Sequence, residues 1–269
     1  MNILIKAAAI AGMASLAFSA SAAAQTLETV KERGKIIVGI QGDNPPYGFL
    51  DSQGQNDGYD AEVARLVGEY VGVPVEFQIV TNQNRIAALQ TSRVDVIFAT
   101  LSMTAERAEA LQYTQPYAEQ PFYVLAPVDM EINGVEDLAG KRIGVPRGAI
   151  MDLQLTALAT ESEILRFDDD SSNVQALLSG QVDAIGGSMF YEDRLNAQAE
   201  GKFENKFSTG SLYVGAGTRL NDHEWTKTIN AAFDEATANG KLGELYQKWF
   251  SMELPKMTTP VEGVNWTLE

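Results

Sequence analysis

The sequence predicts an α/β protein built as two like lobes, on three observations. Apolar, β-branched runs alternate with stretches of helical periodicity from residue 35 onward, and the pattern restarts after Phe122. A short echo links the halves: residues 87–97 and 174–185 each read as a helix, a polar turn and a buried strand with an acid, Asp95 or Asp183, near its start. Strand, helix and strand in that order imply a mostly parallel sheet with right-handed crossovers.

Residues 35–40 read as a first buried strand, followed by a loop over residues 41–49 that contains Pro45-Pro46. Strand ends of this kind lie at ligand crevices in open α/β sheets. Gly58-Tyr59-Asp60 opens a helix whose Val63, Leu66, Val67, Tyr70 and Val71 recur at helical spacing, and Gly72 closes it. A second strand over 75–80, a short helix over 84–90 and a third strand over 94–99 follow. The third strand runs out into Thr100, Ser102 and Thr104, and Thr104 is a good N-cap for a helix carrying Glu106 and Arg107. Free backbone N–H groups there, with hydroxyls beside them and a guanidinium one turn along, can seat a small carboxylate. An ordinary strand-to-helix turn, with Arg107 paired to Glu106 or Glu109 on the surface, has the same residues.

The second half repeats the alternation, with strands over 122–126, 141–145, 164–167 and 182–185 and helices near 152–160 and 173–178. Residues 212–216 form a further strand. Two helices, over 224–238 and 242–249 with Gly240 between them, end the chain and return to the first lobe.

Composition limits the function. Residues 1–6 are a short basic start, residues 7–18 an apolar run too short to span a bilayer, and Ala22-Ala23-Ala24 a small-residue cleavage pattern before Gln25. Residues 1–24 are therefore expected to be a removable export signal. The formal charge of the 269 residues is −16, and loss of Lys6 makes it −17, so nucleic acid and anionic membrane surfaces are poor partners. The absence of Cys removes disulfides, thiol catalysis, thiolate metal sites and a lipid-bearing N-terminal Cys, which points to a protein free in a periplasm. The one histidine, His223, lies between Asp222 and Glu224 at a helix start and reads as a surface residue, so His-based metal or triad chemistry has little to stand on.

These residues resemble the family 3 extracellular solute-binding proteins, the periplasmic polar amino-acid receptors of ABC importers, and most nearly their glutamate/aspartate-binding branch. Five ordered stretches carry the resemblance: Pro45-Pro46-Tyr47-Gly48-Phe49, Gly58-Tyr59-Asp60-Ala61-Glu62-Val63, the hydroxyl-rich turn to Glu106-Arg107, Tyr113-Thr114-Gln115-Pro116-Tyr117, and Leu245-Tyr246-Gln247-Lys248-Trp249-Phe250. The resemblance implies a type II, Venus-flytrap periplasmic binding protein: two lobes, each a mostly parallel sheet flanked by helices, with two crossover strands as hinge, near residues 118–123 and 210–214. Lobe 1 would comprise residues 25–120 and 214–269, and lobe 2 residues 121–213. It implies a monomeric receptor without membrane anchor, cofactor, metal or catalytic residue. Such a receptor closes on a small ligand and presents it to a membrane permease, which requires that the ligand bind the closed state better than the open one.

By the same resemblance, Arg107 would grip the ligand α-carboxylate, Ser102 would support it through N–H and hydroxyl, and the Thr100 carbonyl would accept from the α-ammonium. Arg85 with Asn82 would meet a side-chain carboxylate; otherwise Arg85 faces solvent or pairs with an acid. Gln41, Tyr47, Ala149, Asp170 and Ser188 complete the candidate set. Several positions depart from the family. Ser188 stands where an ammonium-pairing Asp is usual, Gln41 where acidic-amino-acid receptors carry Arg, Ala149 within the usual Gly-Thr-Thr/Ser, and Asn44 where an aromatic stacks on the ligand. Asp170 either takes over the ammonium contact or belongs to a solvated loop. An acidic amino acid or its amide is the favoured ligand. A carboxylate without an ammonium is the second reading, since Ser188 and Gln41 both donate and accept. A dehydratase-like enzyme on the same scaffold, with Asp170, Asp152 or Glu192 as general acid, is the third.

Overall fold

The computed structural model describes residues 26–268, so the expected signal segment, residues 1–24, lies outside the described residues. In chain order the first half contains α1 (Thr26–Arg33), β1 (Ile36–Ile40), β2 (Asp43–Asn44), β3 (Gly48–Leu50), β4 (Asn56–Asp57), α2 (Tyr59–Val71), β5 (Val75–Ile79), α3 (Arg85–Gln90), β6 (Val96–Ile97) and α4 (Ala105–Ala108). The long strand β7 (Gln112–Pro127) leads into β8 (Arg142–Pro146), α5 (Ile150–Leu158), β9 (Glu163–Phe167), α6 (Asp170–Leu178), β10 (Ala184–Ser188) and α7 (Tyr191–Asn196). A second long strand, β11 (Phe203–Thr218), returns the chain to α8 (His223–Ala238) and α9 (Lys241–Phe250).

The main sheet has the order β5-β1-β6-β11-β7-β10-β8-β9. Each outer trio is parallel and places its first strand in the centre: β1 lies between β5 and β6, and β8 between β9 and β10. The two halves thus share one strand order, which gives the echo read from sequence a structural basis. Each half has a switch point beside its first strand, where successive crossovers leave in opposite directions, and crevices form at the carboxyl ends of strands there.

β7 and β11, each 16 residues long, pair antiparallel from Pro127 opposite Phe203 to Gln112 opposite Thr218. The expected strands over 122–126 and 212–216, with crossovers near 118–123 and 210–214, cover only part of these two long strands. The structure accommodates Pro116 opposite Gly215, where the register shifts on both sides of the glycine.

Other differences are local. The expected loop over 41–49 contributes β2 and β3 to a small three-stranded sheet, and the third strand keeps only Val96 and Ile97 of its expected run. α5 starts at Ile150 rather than near Asp152, because the Asp152 side chain reaches back to accept from the Gly148 N–H at 3.0 Å. α6 starts at Asp170, with Asp169 as an N-cap accepting from the Ser172 N–H at 2.7 Å. α1 and α7 carry too little periodicity to be seen in advance.

One core joins α1, α2, α8 and α9 over the first half of the sheet, with Tyr59, Phe98, Tyr117, Trp225 and Phe250 buried in it. Two further clusters fill the second half, drawn from residues 122–203. Gly58 explains the glycine that opens α2. Its φ is +111°, and a Cβ there would lie 2.3 Å from the Tyr47 carbonyl oxygen, so only glycine fits.

Candidate functional site

The site is assembled around the loop that follows β6. Thr100 has a left-handed backbone, φ +50°, which a β-branched residue adopts only when held there. Asp60, in the first turn of α2, holds it. Asp60 Oδ2 accepts from the Thr100 N–H at 2.9 Å and its hydroxyl at 3.3 Å, while Oδ1 accepts from the Tyr117 hydroxyl at 2.7 Å. Burial pushes the Asp60 carboxyl up to about 6 despite these donors. The family-like Gly-Tyr-Asp stretch therefore shapes the site from behind rather than lining it.

Two buried guanidinium groups flank this loop. Arg85, 1% exposed, donates through Nη1 to the Ala99 carbonyl and, at 3.4 Å, to that of Thr100. Burial and the nearby Arg107 charge lower it to about 9. Arg107 sits in α4, whose N-cap Thr104 accepts from the Arg107 N–H. Its Nη1 donates to the Ser102 carbonyl at 3.0 Å and its Nη2 to the Gly148 carbonyl of the other half at 3.2 Å. Burial lowers Arg107 too. The surface pairing with Glu106 or Glu109 is therefore not the arrangement found.

The second half faces them with Asp170. Its Oδ2 accepts from Gln41 Nε2 at 2.8 Å and Asn82 Nδ2 at 3.1 Å, both from the first half, and its Oδ1 accepts from the Tyr191 hydroxyl. Burial, then the neighbouring Asp43 charge, raises this carboxyl to about 6. Asp43 in turn accepts from the Ser171 N–H at 2.8 Å. Asp170 is thus a buried carboxylate at the meeting of the halves and not part of a solvated loop. Asp152 and Glu192, the other candidate acids, are taken up elsewhere: Asp152 by Gly148 N–H, Thr156 and Arg166, and Glu192 by the Asn205 N–H.

Between these groups lies a small cavity, of about 30 Å³. Of the ten candidates, Gln41, Asn82, Arg85, Thr100, Ser102, Ala149, Asp170 and Ser188 line it. Arg107 stands behind Ser102, outside the lining. Tyr47 also lies outside: it is 1% exposed and packs on Phe190 and Phe250, with ring centroids 5.9 and 4.9 Å away. Asn44, noted in the sequence only as a departure from a stacking aromatic, also lines the cavity, as do Gln120, Phe122, Met151 and Tyr191, which the sequence does not single out. Gln120 and Phe122, two apart on β7, follow the period of a strand, a signal that recognising β7 as one strand would have exposed. Tyr191 carries no comparable signal.

Gly148 brings the two backbones together. Its φ is +74°, and a Cβ there would lie 3.3 Å from the Asn82 carbonyl oxygen and from Gln83 Cα. Gly148→Ala is expected to cost about 1–2 kcal/mol of stability through its left-handed backbone. Through the contact across the cleft it should also weaken ligand binding. Thermal melting with calorimetry separates the two effects, and unchanged affinity would mean that the backbones do not meet in the bound state.

Comparison with known proteins agrees with this architecture. The description "Bacterial extracellular solute-binding proteins, family 3" matches residues 36–252. The L-cystine-binding protein of Escherichia coli (strain K12) is 28% identical over 256 residues, covering 92% of this chain and 94% of that protein. An ancestral arginine-binding protein solved with arginine bound superposes with a TM-score of 0.78 at 30% identity, over 81% of this chain and 99% of its own. An ancestral amino acid-binding protein described as a precursor of cyclohexadienyl dehydratase gives a TM-score of 0.76 at 26% identity, over 84% of this chain and 100% of its own.

Proposed function

The chain belongs to the bacterial extracellular solute-binding proteins of family 3, and we propose that it is the exported, periplasmic substrate-binding component of an ABC importer. Residues 1–24 are removed on export, and the mature protein acts as a monomer whose lobes, residues 25–120 with 214–269 and residues 121–213, close on a small polar amino acid. The closed form then delivers its ligand to a membrane permease. The favoured ligand is an acidic amino acid or its amide, whose side chain the wall amides Gln41 and Asn82 can meet.

One observation carries this reading. The cavity wall holds a buried guanidinium, Arg85, from one half and a buried carboxylate, Asp170, from the other. That pair complements a zwitterion. Asp170 supplies the negative group that Ser188 lacks, and so favours an amino acid over a carboxylate without an ammonium.

The test uses pH. An ammonium needs Asp170 ionised and lowers its pKa on binding, so protons must leave whenever binding occurs near or below about 6. Affinity for an amino acid should therefore fall by up to tenfold per unit as the pH drops below ~6, and be flat above ~7. Asp60→Asn, which removes the carboxyl behind Thr100, serves as the background for the same measurement, so that any slope that remains belongs to Asp170. A ligand with a carboxylate and no ammonium would show the opposite slope, because protonating Asp170 relieves repulsion. Calorimetry across this range, using the ligand identified by mass spectrometry of the native protein, decides the matter: affinity rising as pH falls would remove the ammonium from the cleft.

A further inference from the structure

The charged side chains of the cavity wall balance, one guanidinium against one carboxylate. Arg85 and Asp170 stand in this wall; Arg107 and Asp60 lie behind Ser102 and Thr100, to which they are hydrogen-bonded. The remaining polar side chains of the wall are uncharged, and four of them are amides: Gln41, Asn44, Asn82 and Gln120. Two buried polar atoms of the wall residues, Arg85 Nε and Asn44 Oδ1, have no hydrogen-bond partner among the described residues. A donor and an acceptor are thus still to be matched.

We infer that the cleft selects amino acids of zero net charge whose side chain is an uncharged hydrogen-bonding group, a carboxamide above all. This rests on the amino-acid reading above and narrows it to the amide side of that class. A zwitterionic backbone brings one anion and one cation, which Arg85 and Asp170 match. The side chain is left to the amides. A side-chain carboxylate would add an anion to a cavity whose one lining cation is already engaged, and a side-chain ammonium would add a cation to a wall whose one acid already meets the backbone ammonium. Either charge is desolvated without a counter-charge. Asn44 Oδ1 asks for an N–H, which a carboxamide supplies and an ionised carboxylate does not.

The experiment is a thermal-shift and calorimetric survey of the exported protein near neutral pH, after retained ligand has been stripped by unfolding and refolding. The probes are the common L-amino acids and glutaramate, the deaminated counterpart of glutamine. The tightest ligand should be uncharged, with glutamine preferred to glutamate and to lysine by about 30-fold or more. A charged amino acid as tightest ligand overturns the inference and leaves the amino-acid reading standing. Glutaramate binding while every amino acid fails overturns both. A second variant tests the charge balance itself. Gln120→Lys adds a cation to the wall and should narrow the glutamine-to-glutamate ratio by about tenfold. An unchanged ratio in a variant with wild-type circular dichroism overturns charge matching as the cause.

Discussion

Asp60→Ala should lower stability by about 3–5 kcal/mol, the usual cost of deleting one member of a buried charged network. For a chain of this size that corresponds to a fall in Tm of roughly 6–20 °C. Three hydrogens lose their acceptor at once: the Thr100 N–H, the Thr100 hydroxyl and the Tyr117 hydroxyl. Thr100 then keeps its left-handed backbone without the contacts that hold it, and Arg85 loses an electrostatic partner. Asp60→Asn should cost less, since the amide oxygen replaces one acceptor while its NH₂ faces donors. The carboxyl lies at about 6 in the folded protein against an ordinary 3.8. A raised acid binds its proton more tightly when folded. Its contribution to stability is therefore fullest below ~4 and declines as pH rises through ~6, and Asp60→Asn should remove that slope. Denaturant melts of the three proteins across this range provide the check; equal midpoints would mean that Asp60 does not hold the loop.

Arg107→Ala should weaken ligand binding by about 30- to 4,000-fold, the equivalent of about 2–5 kcal/mol for truncating one partner of a buried charge pair. The guanidinium reaches both halves, through Ser102 and Gly148, and stands directly behind a wall residue of the cavity. Its loss removes a tie across the cleft and a positive charge beside the seat proposed for a carboxylate. Arg107→Lys should fall between, because an ammonium cannot reproduce a planar fork that serves two acceptors. Calorimetry on folded variants tests this, and wild-type affinity in Arg107→Ala would leave Arg107 as a structural tie alone.

The parts legible in the sequence are those fixed by local chemistry. The span of α2 follows from a glycine that no Cβ could replace, an apolar stripe and the left-handed Gly72 cap. Thr104 caps α4 by the hydroxyl-to-N–H bond its residue type predicts. What escaped notice is made by tertiary contact. Asp170 sits among three acids, a pattern typical of solvated turns, and is buried because Gln41 and Asn82 arrive from sequence positions about 90 to 130 residues away. Tyr47 lies in a loop beside the cleft, yet its ring turns into the aromatic core with Phe190 and Phe250. Gln120 and Phe122 lie within the expected crossover near 118–123, but which face of that strand turns to the cleft is set by its pairing with β10 and β11.

The interleaving of the cores bears on how the chain acquires its shape. The clusters of the second half draw their buried members from residues 122–203, with Phe207 and Leu212 packed against one of them, so this half is complete once β11 is present. The first-half core is different: Leu27, Tyr59 and Tyr117 are packed with Trp225, Phe233 and Phe250, so it stays incomplete until nearly the whole chain is available. A polypeptide passing through a membrane amino end first would thus have the earliest part to emerge waiting for the latest. Long sequence separations of this kind slow folding, because loop closure costs entropy before contacts repay it. On the export route proposed above, that delay would keep the first half open while the chain is in transit.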